Sequence, residues 1–350
     1  MIMFNCDYLE GAHPEILRRL TETNMLQTPG YGVDSFCDRA RDLIRAQVGD
    51  KNAYVQFLVG GTQTNMTVLA YLMRHHEGVI AADTGHIAVH ETGSVEATGH
   101  KVLTIPNSEG KISAAQVDEY VIAHNEDKMK QHMVKPKVVF IGYATEEGTL
   151  YTKKELMDLY SVCKKHDLYL YVDGARMGYG LMSEKSDLTM KDIYDYSDVF
   201  YIGGTKVGAL FGEAIVFKPE TPHDDFRYLM KQKGGLLAKG RLLGIQFETL
   251  FDGEGEDCLY YKISTHADKL ALKFKEAVKK LGYELYQDSF TNQQFPIFSD
   301  ALIEKLSEKY SFDYWCRVDD THSAVRVCTS WATLPENVDS LIADIERCDS

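Results

Sequence analysis

Short apolar runs alternate with longer segments of helical period up to about residue 245. The segments 62–76, 113–129 and 153–167 have the spacing and length of helices. Between them lie runs that are almost wholly apolar, as strands covered on both faces are: 53–59, 78–83, 101–105, 137–144, 168–175 and 198–203. This alternation predicts an α/β domain with a mostly parallel sheet. The run 211–217 follows 198–203 too closely for a helical crossover, so that pair is predicted to be antiparallel.

The pattern changes in the last third of the chain. The amphipathic segment 264–282 is predicted to be a long helix that ends at Gly282, and short strand-like runs then alternate with two further helical segments. We therefore predict an N-terminal segment over 1–24, a large α/β domain over 25–248 and a smaller α+β domain over 249–350. The polar run DGEGED (252–257) is the best candidate for a linker.

Charge and cysteine content narrow the class of protein. The chain has 350 residues and a formal net charge of −14, from 52 acidic and 38 basic residues, which argues against a sequence-independent nucleic-acid binder. Seven dispersed cysteines without a C-x-x-C pair indicate free thiols in a reducing compartment. No secretory signal is expected, and no apolar run approaches the roughly 20 residues that cross a bilayer. We expect a cytoplasmic enzyme with a small-molecule substrate and without nucleic-acid or membrane partners.

Polar residues follow several predicted strands, where ligands bind in open α/β sheets. In VGGTQTNMT (59–67), glycines allow a ligand to approach the backbone, and Thr62 and Thr64 add hydroxyls at a helix N-terminus, which suits a phosphate. A simple helix cap by either threonine accounts for the same residues. The glycine fingerprints of dinucleotide and P-loop sites are absent, which disfavours a nucleotide-binding oxidoreductase.

The next junction, ADTGHIAVHETGS (82–94), contains two histidines. His86 is placed to lie flat against an aromatic ligand at the sheet edge, although a solvated loop histidine fits the pattern equally. His86 and His90 are four residues apart but lack the glutamate of H-E-x-x-H, so no metal site is expected.

Asp173 ends a hydrophobic strand in LYLYVDGARMG (168–178), where an unpaired carboxylate would be costly. Arg176 can pair with it across an Asp-Gly turn. A protonated ring nitrogen of a cofactor would serve Asp173 equally well and would leave Arg176 for a substrate carboxylate.

Lys206 lies one helix-containing connection later, at the end of the next strand, among apolar residues and glycines. Desolvation disfavours its ammonium form, and a neutral amine is what a Schiff base with a carbonyl requires. An exposed loop lysine accounts for the residue on its own. Together, however, a phosphate cradle, a stacking histidine, an aspartate for a ring nitrogen and a Schiff-base lysine describe a pyridoxal phosphate site.

The motifs GGTQTN, DTGHI, DGAR and GGTK, in this order, resemble those of the threonine aldolase and aromatic amino acid β-eliminating lyase family of fold-type-I pyridoxal-phosphate enzymes. The resemblance covers nearly the whole chain and includes NCDYLEGAHPEIL near the start, PGYGVD (29–34) and VRVCTS near the end. It implies that Lys206, His86 and Asp173 are catalytic. Implied cofactor contacts come from Gly61, Thr62, Gln63, His86, Asp173, Arg176 and Lys206.

The resemblance also implies substrate contacts, from Arg176, Arg326, Tyr31, Cys6 and Glu146. The two arginines would bind the α-carboxylate. Tyr31 would reach the site of a neighbouring subunit, since family members are homodimers or homotetramers with shared active sites.

Three departures from the family pattern bear on the substrate. The usual Arg-Ser-Asp is here Asn5-Cys6-Asp7, and the usual Asn-Thr-His is Ala144-Thr145-Glu146. Glu146 thus replaces a histidine that lies near the substrate hydroxyl in aldolases. The family's phosphate-binding arginine has no clear counterpart, with Lys233 and Arg241 as candidates.

The favoured reaction is cleavage of a threonine-like β-hydroxy-α-amino acid to glycine and an aldehyde, with Glu146, His86 or a water as base. Two alternatives remain: a β-eliminating lyase that gives a keto acid and ammonia, and a non-catalytic regulatory protein that binds the cofactor.

Overall fold

The computed structural model describes residues 1–349, in which helices and strands alternate along the chain. The helices are α1 (Pro14–Thr23), α2 (Ser35–Val48), α3 (Gly61–Leu72), α4 (His86–Val89), α5 (Ala114–Glu126), α6 (Lys153–Lys165), α7 (Met177–Met182), α8 (Met190–Asp195), α9 (Phe226–Gln232), α10 (Arg241–Phe251), α11 (Leu259–Lys280), α12 (Asp300–Ser307) and α13 (Pro335–Asp349). Short 3-10 turns lie at Glu96–Thr98, Lys130–His132 and Gly255–Asp257.

The strands are β1 (Ile2–Met3), β2 (Tyr54–Leu58), β3 (Glu77–Ala82), β4 (Lys101–Ile105), β5 (Lys135–Gly142), β6 (Tyr169–Asp173), β7 (Val199–Gly203), β8 (Glu213–Phe217), β9 (Leu285–Gln287), β10 (Gln293–Ser299), β11 (Tyr310–Ser311), β12 (Asp313–Arg317) and β13 (His322–Cys328). Six of them coincide with the six apolar runs from which the α/β domain was predicted.

A seven-stranded sheet with the order β2-β8-β7-β6-β5-β3-β4 forms the centre of the molecule. Strands β7, β6, β5, β3 and β4 are parallel, and β8 runs antiparallel to both β7 and β2. The predicted parallel sheet and the predicted antiparallel pair are both confirmed. Parallel strands end at the same edge of a sheet, so the segments that follow Ala82, Gly142, Asp173 and Gly203 all emerge on one side of the molecule.

Both faces of this sheet are covered, which explains why its central strands are largely apolar. Along β5, Val139 and Ile141 pack into one apolar cluster, whereas Val138 and Phe140 pack into another on the opposite face. The alternation follows from the two-residue period of a strand, and it makes the central strands rigid supports for the loops at their ends.

The last third of the chain forms a four-stranded antiparallel sheet, β12-β13-β10-β9, with helices packed against it. The predicted long helix is α11, and Gly282 follows its end with a φ of +89°. The N-terminal strand β1 pairs with β11 in this region, and Phe4 packs into its apolar cluster. The polar run 252–257 connects α10 to α11.

Across residues 1–349, none of the helices combines the length and apolar character needed to cross a membrane.

Candidate active site

Two glycine-containing junctions bring Asp173 and Lys206 together at the carboxyl edge of the sheet. A Cβ at Gly174 would collide with the carbonyl oxygen of Tyr201, and one at Gly203 would collide with the backbone of Ala175. The backbones that follow β6 and β7 therefore touch, and the N–H of Gly203 donates to the carbonyl of Gly174 at 2.9 Å. This close approach explains why the DGAR sequence needs its glycine.

The buried carboxylate of Asp173 is held by neutral donors. Its Oδ1 accepts from the Tyr201 hydroxyl at 2.5 Å and from the N–H of Ala175 at 2.9 Å, and its Oδ2 accepts from the Asn65 side chain at 3.1 Å. Arg176, the partner suggested by the sequence, pairs elsewhere. Asp173 is thus oriented by hydrogen bonds and is suited to accept a cationic ligand group.

His86 stands beside this network, at the start of α4, and is fixed by Glu91. Its Nδ1 lies 2.8 Å from Oε1 of Glu91, and the same oxygen accepts from the side chain of Asn65 at 2.7 Å. Burial disfavours the charged imidazole, but the hydrogen bond to Glu91 and the charge of Asp173 outweigh it and raise the pKa of His86. Asn65 therefore links the histidine to the aspartate.

The predicted phosphate cradle is the N-terminus of α3. Helix α3 begins at Gly61 without a side-chain cap, so the threonine-cap alternative does not apply, and its first N–H groups have no acceptor within the helix. A Cβ at Gly61 would lie 3.1 Å from the Tyr201 hydroxyl, so glycine leaves this space open. The side chain of Gln63 accepts from the N–H of Val59 and donates to the carbonyl of Lys233. Gln63 can therefore contribute to the cradle only through its backbone N–H, at the end of the helix.

The ammonium form of Lys206 is disfavoured in this position. Desolvation and the neighbouring guanidinium of Arg176 lower the pKa of the amine. The carboxylates of Asp7, Asp173 and Glu213 oppose that shift. The Lys206 residue as a whole is partly buried.

Arg176 is buried and makes a two-point ion pair with Asp7. Its Nε and Nη2 donate to the two carboxylate oxygens at 2.8 Å and 3.0 Å. Asn292 donates to the same aspartate at 2.8 Å. Burial raises the pKa of Asp7, but the charges of Arg176 and Lys206 outweigh it and hold that pKa below its ordinary value.

Glu146 and Arg326 line a cavity of about 340 Å³ beside this cluster, together with Thr84, His90 and Trp315. Oε1 of Glu146 accepts from the backbone N–H of His86 at 2.9 Å, and desolvation raises the pKa of its carboxyl. Arg326 pairs with Asp313, and its Nε is buried without a hydrogen-bond partner among residues 1–349.

The remaining predicted residues, described next, lie in different parts of the structure. Cys6 is buried next to Asp7, and Thr62 is exposed at the start of α3. Tyr31 is 45% exposed, and its ring lies 4.7 Å from the Lys231 amine, away from the Lys206 cluster. Arg241 donates to the carbonyls of Asn24 and Leu26. No contact in the described part of the chain joins Tyr31 or Arg241 to Lys206.

Sequence reasoning missed the residues that orient the predicted ones: Asn65, Glu91, Tyr201, Asp7 and Asn292. Asn65 was findable, because it lies one helical turn after Gly61 on the helix of the predicted cradle. Asp7 had a weaker signal, as the aspartate that the Asn5-Cys6-Asp7 segment shares with the family pattern. The other three gave no signal, since their partners are fixed only by the fold.

These residues fit pyridoxal phosphate. The open N-terminus of α3 suits its phosphate, and the buried hydroxyls of Thr64 and Thr84 lack partners among residues 1–349. Asp173, which is bonded only to neutral donors in that range, suits a protonated ring nitrogen. The fold and this site define a pyridoxal-phosphate-dependent enzyme of fold type I.

Comparison with known proteins identifies the family. A model of the beta-eliminating lyase family matches residues 6–332. The chain belongs to the beta-eliminating lyase family, which confirms the predicted family, the type I fold and a pyridoxal-phosphate-dependent lyase.

Three relatives show how far the similarity extends. The low specificity L-threonine aldolases of Pseudomonas aeruginosa and of a Pseudomonas species are 30% and 31% identical over 98% of this chain and 96% of theirs. The solved structure of Leishmania major threonine aldolase is 40% identical, with a TM-score of 0.96 and full coverage of both chains.

Proposed function

We propose that this enzyme cleaves a threonine-like β-hydroxy-α-amino acid to glycine and an aldehyde. The proposal depends above all on one arrangement. The backbone that follows Asp173 touches the backbone that leads to Lys206, at Gly174 and Gly203, while Glu146 accepts from the backbone N–H of His86 and lines a cavity. The names of the similar proteins in Pseudomonas and Leishmania agree with this reaction.

Each part of the site has a role in holding the cofactor. The N–H groups of Gly61, Thr62 and Gln63 would bind its phosphate, and the ring of His86 would lie against its pyridine. Asp173 would accept a hydrogen bond from the ring nitrogen and keep it protonated, and the amine of Lys206 would be the point of covalent attachment. Bound pyridoxal phosphate supplies an electron sink, which makes a bond to the substrate's Cα cleavable.

The substrate's β-hydroxyl must lose a proton as the bond between Cα and Cβ breaks. Glu146 is our candidate for the base, because its carboxylate lines the cavity and desolvation moves its pKa upward towards neutrality. The N–H of His86, which donates to Glu146, fixes the direction of that carboxylate.

Arg326 offers a donor for the substrate carboxylate. Its terminal nitrogens donate to Gln293, Asn5 and Asp313, but its Nε is a buried donor without a partner among residues 1–349. Two donors of Arg176 are engaged by Asp7. An unpaired buried donor is costly, and a carboxylate oxygen in the cavity would satisfy it. Arg176 then contributes charge and holds Asp7, while Cys6 borders the same corner.

We further propose a cytoplasmic homodimer or homotetramer with shared sites. Free cysteines at all seven positions suit a reducing compartment. Tyr31 is exposed, and none of its contacts among residues 1–349 is with Lys206, which supports a role at a neighbouring subunit's site. Sedimentation of wild type and Tyr31→Phe, with activity measured in mixtures of Tyr31 and Lys206 variants, tests this sharing.

The reaction is tested by product analysis. Purified protein is supplied with pyridoxal phosphate and then with threonine or allo-threonine, and the products are quantified. We expect equal amounts of glycine and acetaldehyde, a cofactor absorption change that requires Lys206, and no activity in Lys206→Ala. Lys51→Ala, at an exposed lysine, is the control and is expected to behave as wild type.

Two outcomes would overturn the proposal. Formation of a 2-oxo acid and ammonia would identify a β-eliminating lyase. A Lys206-dependent absorption change without turnover of any β-hydroxy amino acid would instead indicate a non-catalytic protein that binds the cofactor.

A further inference from the structure

Glu213 and Lys206 belong to one short connection between β7 and β8. Glu213 opens β8 and pairs with Gly203, the last residue of β7. Its side chain is 3% exposed. Oε2 accepts from the N–H of Gly204 at 3.1 Å, and Oε1 accepts from the hydroxyl of Thr205 at 2.8 Å. One buried carboxylate therefore holds both residues that precede the lysine.

The connection is also closed on itself by its backbone. The N–H groups of Gly204 and Thr205 donate to the carbonyl of Gly212 at 2.9 Å and 3.2 Å. The Thr205 hydroxyl in turn accepts from the N–H of Gly212 at 3.0 Å. With six polar groups paired in this way, the turn leaves Lys206 little freedom of direction.

Several charged groups face Lys206 from the surrounding elements. Arg176 is the nearby cation, and three carboxylates act on the lysine from different directions: Asp7, Asp173 and Glu213. The titratable rings around it are those of His86, His90, Tyr8 and Tyr179. Glu213 itself is faced by Asp173 and by the hydroxyl-bearing rings of Tyr171, Tyr201 and Tyr260.

The three carboxylates are not equivalent. Asp7 is engaged by the guanidinium of Arg176, and Asp173 is turned towards Tyr201 and Asn65. Glu213 has hydrogen bonds only from the turn itself among residues 1–349, and Lys206 is the cation that acts on it.

We propose that Glu213 is a positioning residue for Lys206, which holds the turn that carries the lysine and governs how readily its amine gives up a proton. The inference rests on the proposed function in one respect, since it takes Lys206 as the reactive amine. An ionised Glu213 stabilises the ammonium, and a neutral Glu213 does not.

The titration of the two groups supports this coupling. Burial raises the pKa of Glu213 to about 8, against hydrogen bonds from Thr205 and the charge of Lys206. Burial lowers the pKa of Lys206. Lys206 lowers the pKa of Glu213 and Glu213 raises the pKa of Lys206, so the state of one group affects the other.

Competitive acetylation tests the proposal on the full-length protein after its cofactor has been removed. Acetic anhydride is applied over pH 7 to 11, and acetylation of Lys206 is quantified by mass spectrometry against exposed Lys51. Glu213→Gln removes the charge, while its amide oxygen can still accept from the N–H of Gly204 and its NH2 group can donate to the Thr205 hydroxyl. We therefore expect the Lys206 midpoint to fall by about one pH unit. At pH values below the midpoint, that shift gives a roughly tenfold faster reaction.

Thr205→Val is the matched control, because it removes a hydrogen bond of the turn and keeps the carboxylate. We expect its Lys206 midpoint to fall by no more than about 0.3 unit, since the carboxylate remains. An unshifted midpoint in folded Glu213→Gln would overturn the proposal, as would equal downward shifts in both variants, which a purely structural role gives. Circular dichroism establishes whether each variant is folded. If Glu213→Gln is unfolded, Glu213→Asp replaces it. Because aspartate keeps the charge, the Lys206 midpoint of that variant is expected to remain near that of wild type.

This experiment is independent of the reaction. The acetylation profile reports the proton on Lys206 whether or not the protein cleaves threonine. Loss of the proposed aldol reaction would therefore leave the Glu213 result interpretable, and an unshifted midpoint would leave the reaction assignment intact.

Discussion

Arg176 pairs with Asp7, which lies 169 residues earlier in the chain, and not with Asp173, three residues before it. Both members of the pair are almost completely buried. The ion pair therefore ties the N-terminal segment to the carboxyl edge of the central sheet. It also leaves Asp173 without an ion-pair partner among residues 1–349, which suits a cofactor with a protonated ring.

Loss of this pair is expected to destabilise the fold. Asp7→Asn should lower the free energy of unfolding by about 3 kcal/mol, because it leaves the guanidinium of Arg176 buried without a countercharge. Chemical denaturation at neutral pH measures the change. Asp158→Asn is the control, since it disrupts an exposed pair with Lys154 and should cost no more than about 0.5 kcal/mol. Equal losses in the two variants would contradict this account of Asp7.

The pair of His86 and Glu91 should make stability depend on pH. The pKa of His86 is raised above 6.5. The contribution of protonated His86 to the stability of the folded state is therefore complete below pH 6.5 and is lost as pH rises through the raised pKa. The pKa of Glu91 is lowered below 4.5, against burial, mainly by its hydrogen bond with His86. The contribution of ionised Glu91 to the stability of the folded state is complete above pH 4.5 and is lost as pH falls through the lowered pKa.

Glu91→Gln is therefore expected to reduce stability most between about pH 4.5 and 6.5. Denaturation of wild type and variant at pH 5.5 and pH 8.5 measures this, and the difference should be larger at pH 5.5. Glu96→Gln, at an exposed glutamate of the same loop, provides the comparison and should show no such pH dependence. A difference for Glu91→Gln that is the same at both pH values would show that His86 is not charged by this contact.

Glu146 should determine the acidic side of the activity profile. Desolvation raises the pKa of Glu146, so the rate should fall as pH decreases through a value above 4.5. Glu146→Gln should lower kcat about 100-fold and abolish this pH dependence, as expected for loss of a general base. Cleavage of threonine from pH 5 to 9 measures both effects.

Glu147→Gln is the matched control for this base. Glu147 adjoins Glu146 in sequence and lines the same cavity, so a general change in cavity charge should affect both variants alike. If Glu146 is the specific base, Glu147→Gln should show the same dependence of rate on pH as wild type. Survival of the acidic decline in Glu146→Gln would instead favour His86 or a water as the base.

The central sheet was predictable because its strands are buried on both faces. That burial gives each strand a nearly continuous apolar run, and the runs alternate with helical segments. The antiparallel hairpin that carries Lys206 was equally clear, since no helix fits between its strands. Asp173 and Lys206 could be found because a charged residue at the end of a buried strand is costly unless a partner or a ligand compensates its charge.

The groups that orient the site were much less accessible from the sequence. Glu91 and Tyr201 have ordinary sequence surroundings, and only the packing of α4 and β7 against Asn65 and Asp173 gives them partners. The pairing of Arg176 shows the same limit. Its neighbour in sequence was a reasonable partner, but the fold provides a better-oriented carboxylate from the other end of the domain.

The pairing of β1 with β11 has a consequence for synthesis of the protein. Ile2 and Met3 are synthesised 308 residues before their partners, Tyr310 and Ser311. Until then this strand has no edge to join, and Asp7, four residues beyond it, is not anchored from that side. Arg176 therefore lacks a counterion that is anchored from this side until residues 310 and 311 have been made, and a chain that stops before residue 310 cannot form this strand pair.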